Sequence, residues 1–311
     1  MALYRTKLPQ TGDDIYLAYT GMETDLMFTQ GVDLQGFASF PLLETEESRK
    51  HLRRYFNDLT QVARAAGTGV ILEAPTWFAN RDRGAEIGYS PKTLTKLNAL
   101  SAKFMATMRD DNGDLPTILS ANIGPRSDAN APSERMSRDE SVQYHTEQIG
   151  AFANTEIDLI SGYIIAYPEE AIGIVLAAKR FDMPVIIAFT VETDGCLPTG
   201  ISLSVAIEIV DGATDDYASY FMINCAHPDH FVQALSDRPW MTRLKGVVAN
   251  ASRCSHAELD ECKVLDDGNP EELGKQLAEI NKKYPNINIL GGCCGTDMRH
   301  MTCIAQSAMG H

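Results

Sequence analysis

The stretch Asn288-Ile289-Leu290-Gly291-Gly292-Cys293-Cys294-Gly295-Thr296 sets two adjacent cysteines among three glycines at the end of an apolar run. Neighbouring residues of a regular strand point to opposite faces. Two neighbouring thiols therefore address one point only where the backbone leaves strand geometry, and Gly291, Gly292 and Gly295 permit such a departure. Three kinds of chemistry are open to the pair. Both thiolates can ligate one soft metal, zinc above all, with at least one further ligand from elsewhere in the chain. They can form a vicinal redox couple, or they can pack as small apolar side chains.

The elements that must position the pair follow a regular alternation. Apolar runs at Ile15 to Tyr19, Val70 to Ala74, Leu115 to Ile123, Asp158 to Ile165, Val185 to Val191, Tyr220 to Cys225, Gly246 to Ala251 and Ile287 to Leu290 predict eight strands. Helical patterns follow each. Glu44 to Ala66 carries Leu52, Tyr55, Phe56, Leu59, Val62 and Ala63 on one face, and Gly67-Thr68-Gly69 ends it. Ser90-Pro91 makes an N-cap followed by proline in the first turn, and Asp139 to Ala153 and Pro168 to Arg180 continue the series. Ser202 to Asp211, Asp229 to Leu235, Asn269 to Lys283 and Asp297 to Met309 complete it. Eight strand-helix units predict a (β/α)₈ TIM barrel of α/β class. The alternative, an open doubly wound sheet, lacks its glycine-rich phosphate fingerprint after the first strand. No linker rich in Pro, Gly or Ser divides the chain, so residues 1–311 are expected to form one domain.

In such a barrel the active site lies at the carboxyl ends of the strands. The expected residues there are Tyr19, Glu73, Asn122, Tyr163, Glu192, Asn224, Cys225, Asn250, Cys293 and Cys294. Strands six and eight are separated by one strand, so their backbones lie roughly 10 Å apart and Cys225 can converge with the pair. Three thiolates with an open fourth position match a catalytic zinc, because closed structural sites use four protein ligands. Such an electron-rich ion is a mild Lewis acid suited to deprotonating an incoming thiol, whose ordinary pKa is about 8.5. His227 and His230 are alternative ligands, but Pro228 turns the chain away from the strand between them. Cys196, Cys254, Cys262 and Cys303 fall in loops or helices and read as incidental. Trp77 and Phe78 either wall a pocket or pack on the neighbouring loop.

The chain has 311 residues, 44% of them hydrophobic, with 27 Lys and Arg against 42 Asp and Glu. A formal charge of −15 argues against general affinity for nucleic acid or anionic membrane, so small-molecule partners are expected. No signal-like or membrane-spanning apolar stretch is apparent, and seven cysteines suit a reducing compartment. The expected location is the cytoplasm. A homo-oligomer is compatible with the composition.

Gly291-Gly292-Cys293-Cys294-Gly295, with Asn224-Cys225 at the end of the sixth strand, resembles the zinc signature of the homocysteine S-methyltransferases. Gly21-Met22-Glu23-Thr24 and Asn122-Ile123-Gly124-Pro125 match further, so that the resemblance runs from about Asp13 to Ala308. It implies a (β/α)₈ barrel in which Cys225, Cys293 and Cys294 bind Zn²⁺ and zinc binds the homocysteine thiolate. That thiolate takes a methyl group from a sulfonium or betaine-type donor and yields methionine, a step of methionine biosynthesis. Tyr19, Glu73, Trp77, Asn122, Tyr163, Glu192 and Asn224 are the expected substrate-binding residues, with Tyr19, Trp77 and Tyr163 walling the donor's positive charge. Chain length leaves no room for folate or cobalamin modules, so S-methylmethionine, S-adenosylmethionine, a betaine or a dimethylsulfonio compound remain as donors.

There is one departure. The family's first strand ends in Asp-Gly-Gly or Asp-Gly-Ala, and the aspartate is expected to hold the amino group of homocysteine; here Tyr19-Thr20-Gly21 stands instead. Either Glu73, Glu192 or Asp194 replaces that charge, or the acceptor is a thiol without an ammonium group. The alternative function is a catalytically altered barrel that senses redox state or binds a ligand through its thiols. A zinc hydrolase is disfavoured, because its ion is held by His and carboxylate ligands.

Overall fold

A computed structural model of the chain describes residues 1–127, 134–261 and 264–310. Cys262, named above, lies outside the described residues. At the centre is a closed barrel of eight parallel strands in sequential order. They are β1 (Tyr16–Leu17), β2 (Gly69–Glu73), β3 (Thr117–Ile123), β4 (Leu159–Ile165), β5 (Val185–Thr190), β6 (Tyr220–Asn224), β7 (Leu244–Ala249) and β8 (Ile289–Gly292). β1 pairs with both β2 and β8. Closure at that seam excludes the doubly wound sheet.

The helices form because their caps and apolar stripes agree. Glu46–Ala66 starts where Thr45 accepts the amide of Ser48 and stops at Gly67, whose φ of 73° is open to glycine at little cost. Leu52, Tyr55, Phe56, Leu59 and Ala63 are buried as expected, while Val62 is only half-buried. Each buried leucine or phenylalanine contributes about 1.5–3 kcal/mol. Ser90 caps Pro91–Asp110, Ser137 and Glu140 make a capping box for Arg138–Gly150, and Asn269 caps Pro270–Lys283. The helix expected from Asp229 to Leu235 is shorter: Pro228–Phe231 is one α-turn, continued by a 3₁₀ turn at Val232–Ala234. No helix among the described residues is long and apolar enough to cross a membrane.

Two strands differ from the sequence reading in ways that matter for the site. β1 is short in regular pairing, yet its hydrogen bonds run on: Ala18 donates to the carbonyl of Leu290, and Gly292 donates to that of Tyr19 (2.9 and 2.8 Å). β8 ends two residues later than expected, so Gly291 and Gly292 belong to the sheet, opposite Val248 and Ala249. Of the three glycines, only Gly295 takes a left-handed conformation (φ 78°). Gly291 and Gly292 are required for space instead. A Cβ on Gly291 would fall 2.6 Å from the carbonyl oxygen of Tyr19 and 3.2 Å from the Val248 side chain, and one on Gly292 would strike Thr296.

This separates two kinds of glycine by experiment. Gly291→Ala should cost about 1–3 kcal/mol or more through overpacking against backbone that has nowhere to move. Gly212→Ala, at an exposed position of the helix Leu203–Thr214 with nothing within 4 Å of the added methyl, should stabilise by about 0.5–1 kcal/mol. Urea unfolding of the two variants checks the opposite signs; equal and small effects would mean that β8 does not need its bare backbone.

Candidate active site

β6, β7 and β8 end side by side, and their ends are laced together. The amide of Cys225 donates to the Val248 carbonyl (3.0 Å), that of Cys293 to the Ala249 carbonyl (2.7 Å), and that of Ala251 to the Cys294 carbonyl (3.1 Å). Beyond Cys293 the chain turns at Cys294-Gly295. Thr296 closes this turn, its amide and hydroxyl both donating to the Cys293 carbonyl (3.0 and 2.7 Å), while its oxygen accepts the amide of Gly21 (3.1 Å). Cys225 itself has a φ of 57°, a left-handed conformation uncommon outside glycine. These constraints bring the sulfurs of Cys225, Cys293 and Cys294 within 4.8 Å of one another. Cys225 and Cys294 are 3.7 Å apart. Cys225 and Cys293 are buried, and Cys294 is half-buried at the edge of a cavity.

The electrostatics of the trio favour a cation. The Cys293 thiol is pushed well above its ordinary range by its hydrogen bonds with Cys225 and Cys294 and by burial. The hydrogen bond with Cys293 lowers the Cys225 thiol, but its bond with Cys294 and burial outweigh this and push it well up. Packed thiols hinder one another's ionisation, and a dication in their midst reverses the balance. A tetrahedral zinc with bonds of about 2.3 Å has ligand sulfurs about 3.8 Å apart, which the observed 3.7 Å matches. A disulfide needs about 2.05 Å. The residues present therefore fit a zinc ion.

A cavity lies beside the sulfurs. Tyr19, Trp77, Asn122, Tyr163 and Asn224 line it with Cys293 and Cys294. Tyr19 and Tyr163 face each other at 6.0 Å between ring centres. Trp77 donates its indole N–H to the Tyr163 carbonyl (3.3 Å) and stacks on Phe78, which stands behind it under the Arg83 guanidinium. The Oδ1 of Asn122 and the Nδ2 of Asn224 have no partner among the described residues. Two buried polar atoms without partners, on residues that line the cavity, are groups for a ligand to satisfy.

Other expected residues lie elsewhere. Glu73 is buried off the cavity lining, accepting from Ser161 (3.1 Å) beside Ser120. The Tyr163 hydroxyl lies near it without completing a hydrogen bond. Glu192 is half-buried, its amide donating to the Cys196 carbonyl, and Asp194 accepts the amide of Cys196 in the same exposed turn; neither lines the cavity. His227 is not among the clustered ligands: it is a helix cap whose ring accepts the amide of Asp229, and burial pushes its pKa down to about 4. His230 meets the carbonyl of Arg253.

Three features escaped the sequence reading. Ile164 takes a φ of 59°, an outlier for a β-branched residue, where the β4–β5 register slips between Tyr163 and Ile165. Its amide donates to the Oδ1 of Asn224 (3.1 Å), so the bulge turns Tyr163 and Ile164 onto the cavity wall. The left-handed position itself is not a glycine; Gly162, two residues earlier in β4, is the nearest one. Phe37, from the loops after β1, adds a further ring. Glu23 also lines the cavity, accepting from Tyr19 and from Ser39. Its signal was present as an acid four residues after Tyr19, in a segment already singled out as Gly21-Met22-Glu23-Thr24.

Known proteins bear on this geometry in two ways. A family model described as homocysteine S-methyltransferase matches residues 21–308. No curated protein sequence matches the chain significantly. Among solved structures, the homocysteine methyltransferase MmuM from Escherichia coli superposes in its metallated form with a TM-score of 0.72 at 16% identity, covering 94% of this chain and 96% of that one. Its oxidized form gives 0.74 at 16% identity, covering 95% and 96%. At such identities the structural likeness carries the fold.

Burial raises the Glu73 carboxyl from 4.5 to about 7, against the Ser161 hydrogen bond and the nearby Ser120 and Tyr163 hydroxyls, which lower it. The folded chain thus keeps a proton that the unfolded chain releases above pH 4.5. Stability conferred by Glu73 is highest below that pH, falls as pH rises toward 7, and is level beyond, a loss of about 3 kcal/mol. Glu73→Gln should remove this slope, so that urea unfolding at pH 4 and pH 8 shows the variant gaining about 3 kcal/mol on the wild type. Parallel profiles for the two proteins would show that folding leaves the titration of Glu73 unshifted.

Proposed function

This chain belongs to the homocysteine S-methyltransferase family, and from that premise we propose that it moves a methyl group from a sulfonium or betaine-type donor to a thiol with the aid of zinc. Membership makes it a methyltransferase acting on small molecules. The finer reading is that Cys225, Cys293 and Cys294 hold the zinc, that the acceptor is homocysteine, and that the product is methionine, placing the step in methionine biosynthesis in the cytoplasm. One observation carries it: three sulfurs from β6 and β8 spaced as zinc ligands at the edge of an aromatic cavity.

When bound, zinc supplies the positive charge that keeps the acceptor sulfur ionised at neutral pH, where an ordinary thiol of pKa about 8.5 is about 3% thiolate. The chain's own residues do the rest. Tyr19, Trp77 and Tyr163 wall the cavity with ring faces that attract an onium charge without solvating it strongly. A positively charged donor loses that charge as its methyl group departs, so a weakly solvated aromatic wall favours the transition state over the ground state. Burial pushes the hydroxyls of Tyr19 and Tyr163 well above their ordinary range, so both stay protonated and do not compete with sulfur for the methyl group. The open amide groups of Asn122 and Asn224 are available to orient the two substrates, and in-line displacement is chiefly a matter of such orientation.

Purified protein should contain about one zinc per chain, and Cys293→Ala, Cys294→Ala should contain almost none, since one thiolate cannot retain the ion. Loss of thiol ionisation alone should lower methyl transfer at pH 7 at least ~30-fold. Metal analysis and mass spectrometry of methylated homocysteine read the two effects. Full zinc retention by the double variant would sink the ligand assignment.

A further inference from the structure

Among its described lining residues the cavity holds a single charged side chain, Glu23. It belongs to the helical turn Met22–Thr24 directly after β1 and is 5% exposed. One carboxylate oxygen accepts from the Ser39 hydroxyl (2.8 Å), and the other accepts from the Tyr19 hydroxyl. Both partners are neutral, and no Lys, Arg or His among the described residues pairs with it. A buried carboxylate without a cation is costly. It also retains acceptor capacity, since a carboxylate offers about four lone-pair sites and the two hydroxyls leave some of them free.

We propose that Glu23 receives the ammonium group of the acceptor, which makes the acceptor an amino thiol. The proposal rests on the thiol methyl-transfer reading above. The choice of ammonium over the onium charge of the donor follows from hydrogen bonding. An ammonium group carries N–H donors that match free carboxylate lone pairs in the strong, charge-assisted manner. A sulfonium or quaternary ammonium group has no such donors and is matched by ring faces, which the cavity presents separately in Tyr19, Tyr163 and Trp77. Tyr19 belongs to both halves, its ring on the wall and its hydroxyl holding the Glu23 carboxylate in place.

Calorimetric titration of zinc-loaded protein with homocysteine and with 4-sulfanylbutanoate, the same thiol acid without the amino group, tests this directly, with zinc content measured alongside. The wild type should bind homocysteine about 10–100-fold more tightly than the des-amino thiol. In Glu23→Gln that ratio should fall to near one with zinc content unchanged, and Glu23→Asp should restore part of it. Equal binding of the two thiols by the wild type overturns the proposal while leaving the methyl-transfer reading intact, and so does a preference that survives in Glu23→Gln. Binding of neither thiol overturns both. Should Glu23→Gln fail to fold, the wild-type ratio and Glu23→Asp decide the matter.

Discussion

The close approach of bare backbone at the end of β8 is the constraint on which the site depends. Gly291 lies against the carbonyl of Tyr19 and the side chain of Val248, and Gly292 against Thr296. Because neither carries a side chain, β8 is held between β1 and β7 up to its last residue, and the chain reaches Cys293 with its direction already set. The turn closed by Thr296 then ties this point to Gly21, the first residue after the Tyr19-Thr20 pair. Sulfurs and cavity wall are thus parts of one hydrogen-bonded unit. A shift of β8 large enough to admit one methyl group would move both.

Charge is the second organising quantity. The cavity and the sulfur cluster beside it offer negative charge to a ligand and, among the described residues, no lysine or arginine lines them. Three thiols crowd together, and a carboxylate is buried with only hydroxyl partners. Each arrangement is unfavourable in isolation and is relieved by a cation. Strain at Cys225 and Ile164 belongs to the same pattern, since both hold left-handed backbone that nothing in their residue types favours, and both face the site. Stability is given up there in exchange for groups poised to receive charge, and the helices with their ordinary caps and apolar stripes make up the difference.

The parts legible in the sequence were those encoded by periodicity or by rare residue types. Eight apolar runs, each followed by an amphipathic stretch, announce a barrel because burying a parallel strand demands a continuous apolar run and covering it demands a striped helix. The cysteines announce themselves because thiols are scarce and chemically specific. Other features depend on contacts that no local pattern reports. Gly291 and Gly292 were read as licences for unusual backbone angles when they are concessions to space: sequence shows that a glycine is permissive, not which freedom it uses. The bulge puts its left-handed residue on β-branched Ile164, while the glycine of that strand, Gly162, lies two places earlier. Glu73 and Glu192 both stand at strand ends; Glu73 accepts from buried Ser161, and neither is among the described residues that line the cavity. Strand-end position sets where a residue begins, and side-chain length and direction set where its charge arrives.

Glu23 shows the converse. A carboxylate at the end of β1 would have its backbone fixed by ladder hydrogen bonds and its charge beside the barrel axis. Here tyrosine holds that position, and the acid stands four residues along, on the helical turn Met22–Thr24 that follows, where the two side chains meet. The exchange keeps one negative charge in the cavity and adds a ring to its wall. It also makes the placement of that charge depend on two hydroxyl groups, from Tyr19 and Ser39, in place of a strand. An anion steered by neutral donors keeps most of its appetite for a cation, whereas one held by arginine would already be satisfied. Substituting the acid back at position 19 with Glu23 present would bring two buried carboxylates together and raise the pKa of one of them, so restoring the family's usual residue would disturb this cavity more than it would repair it.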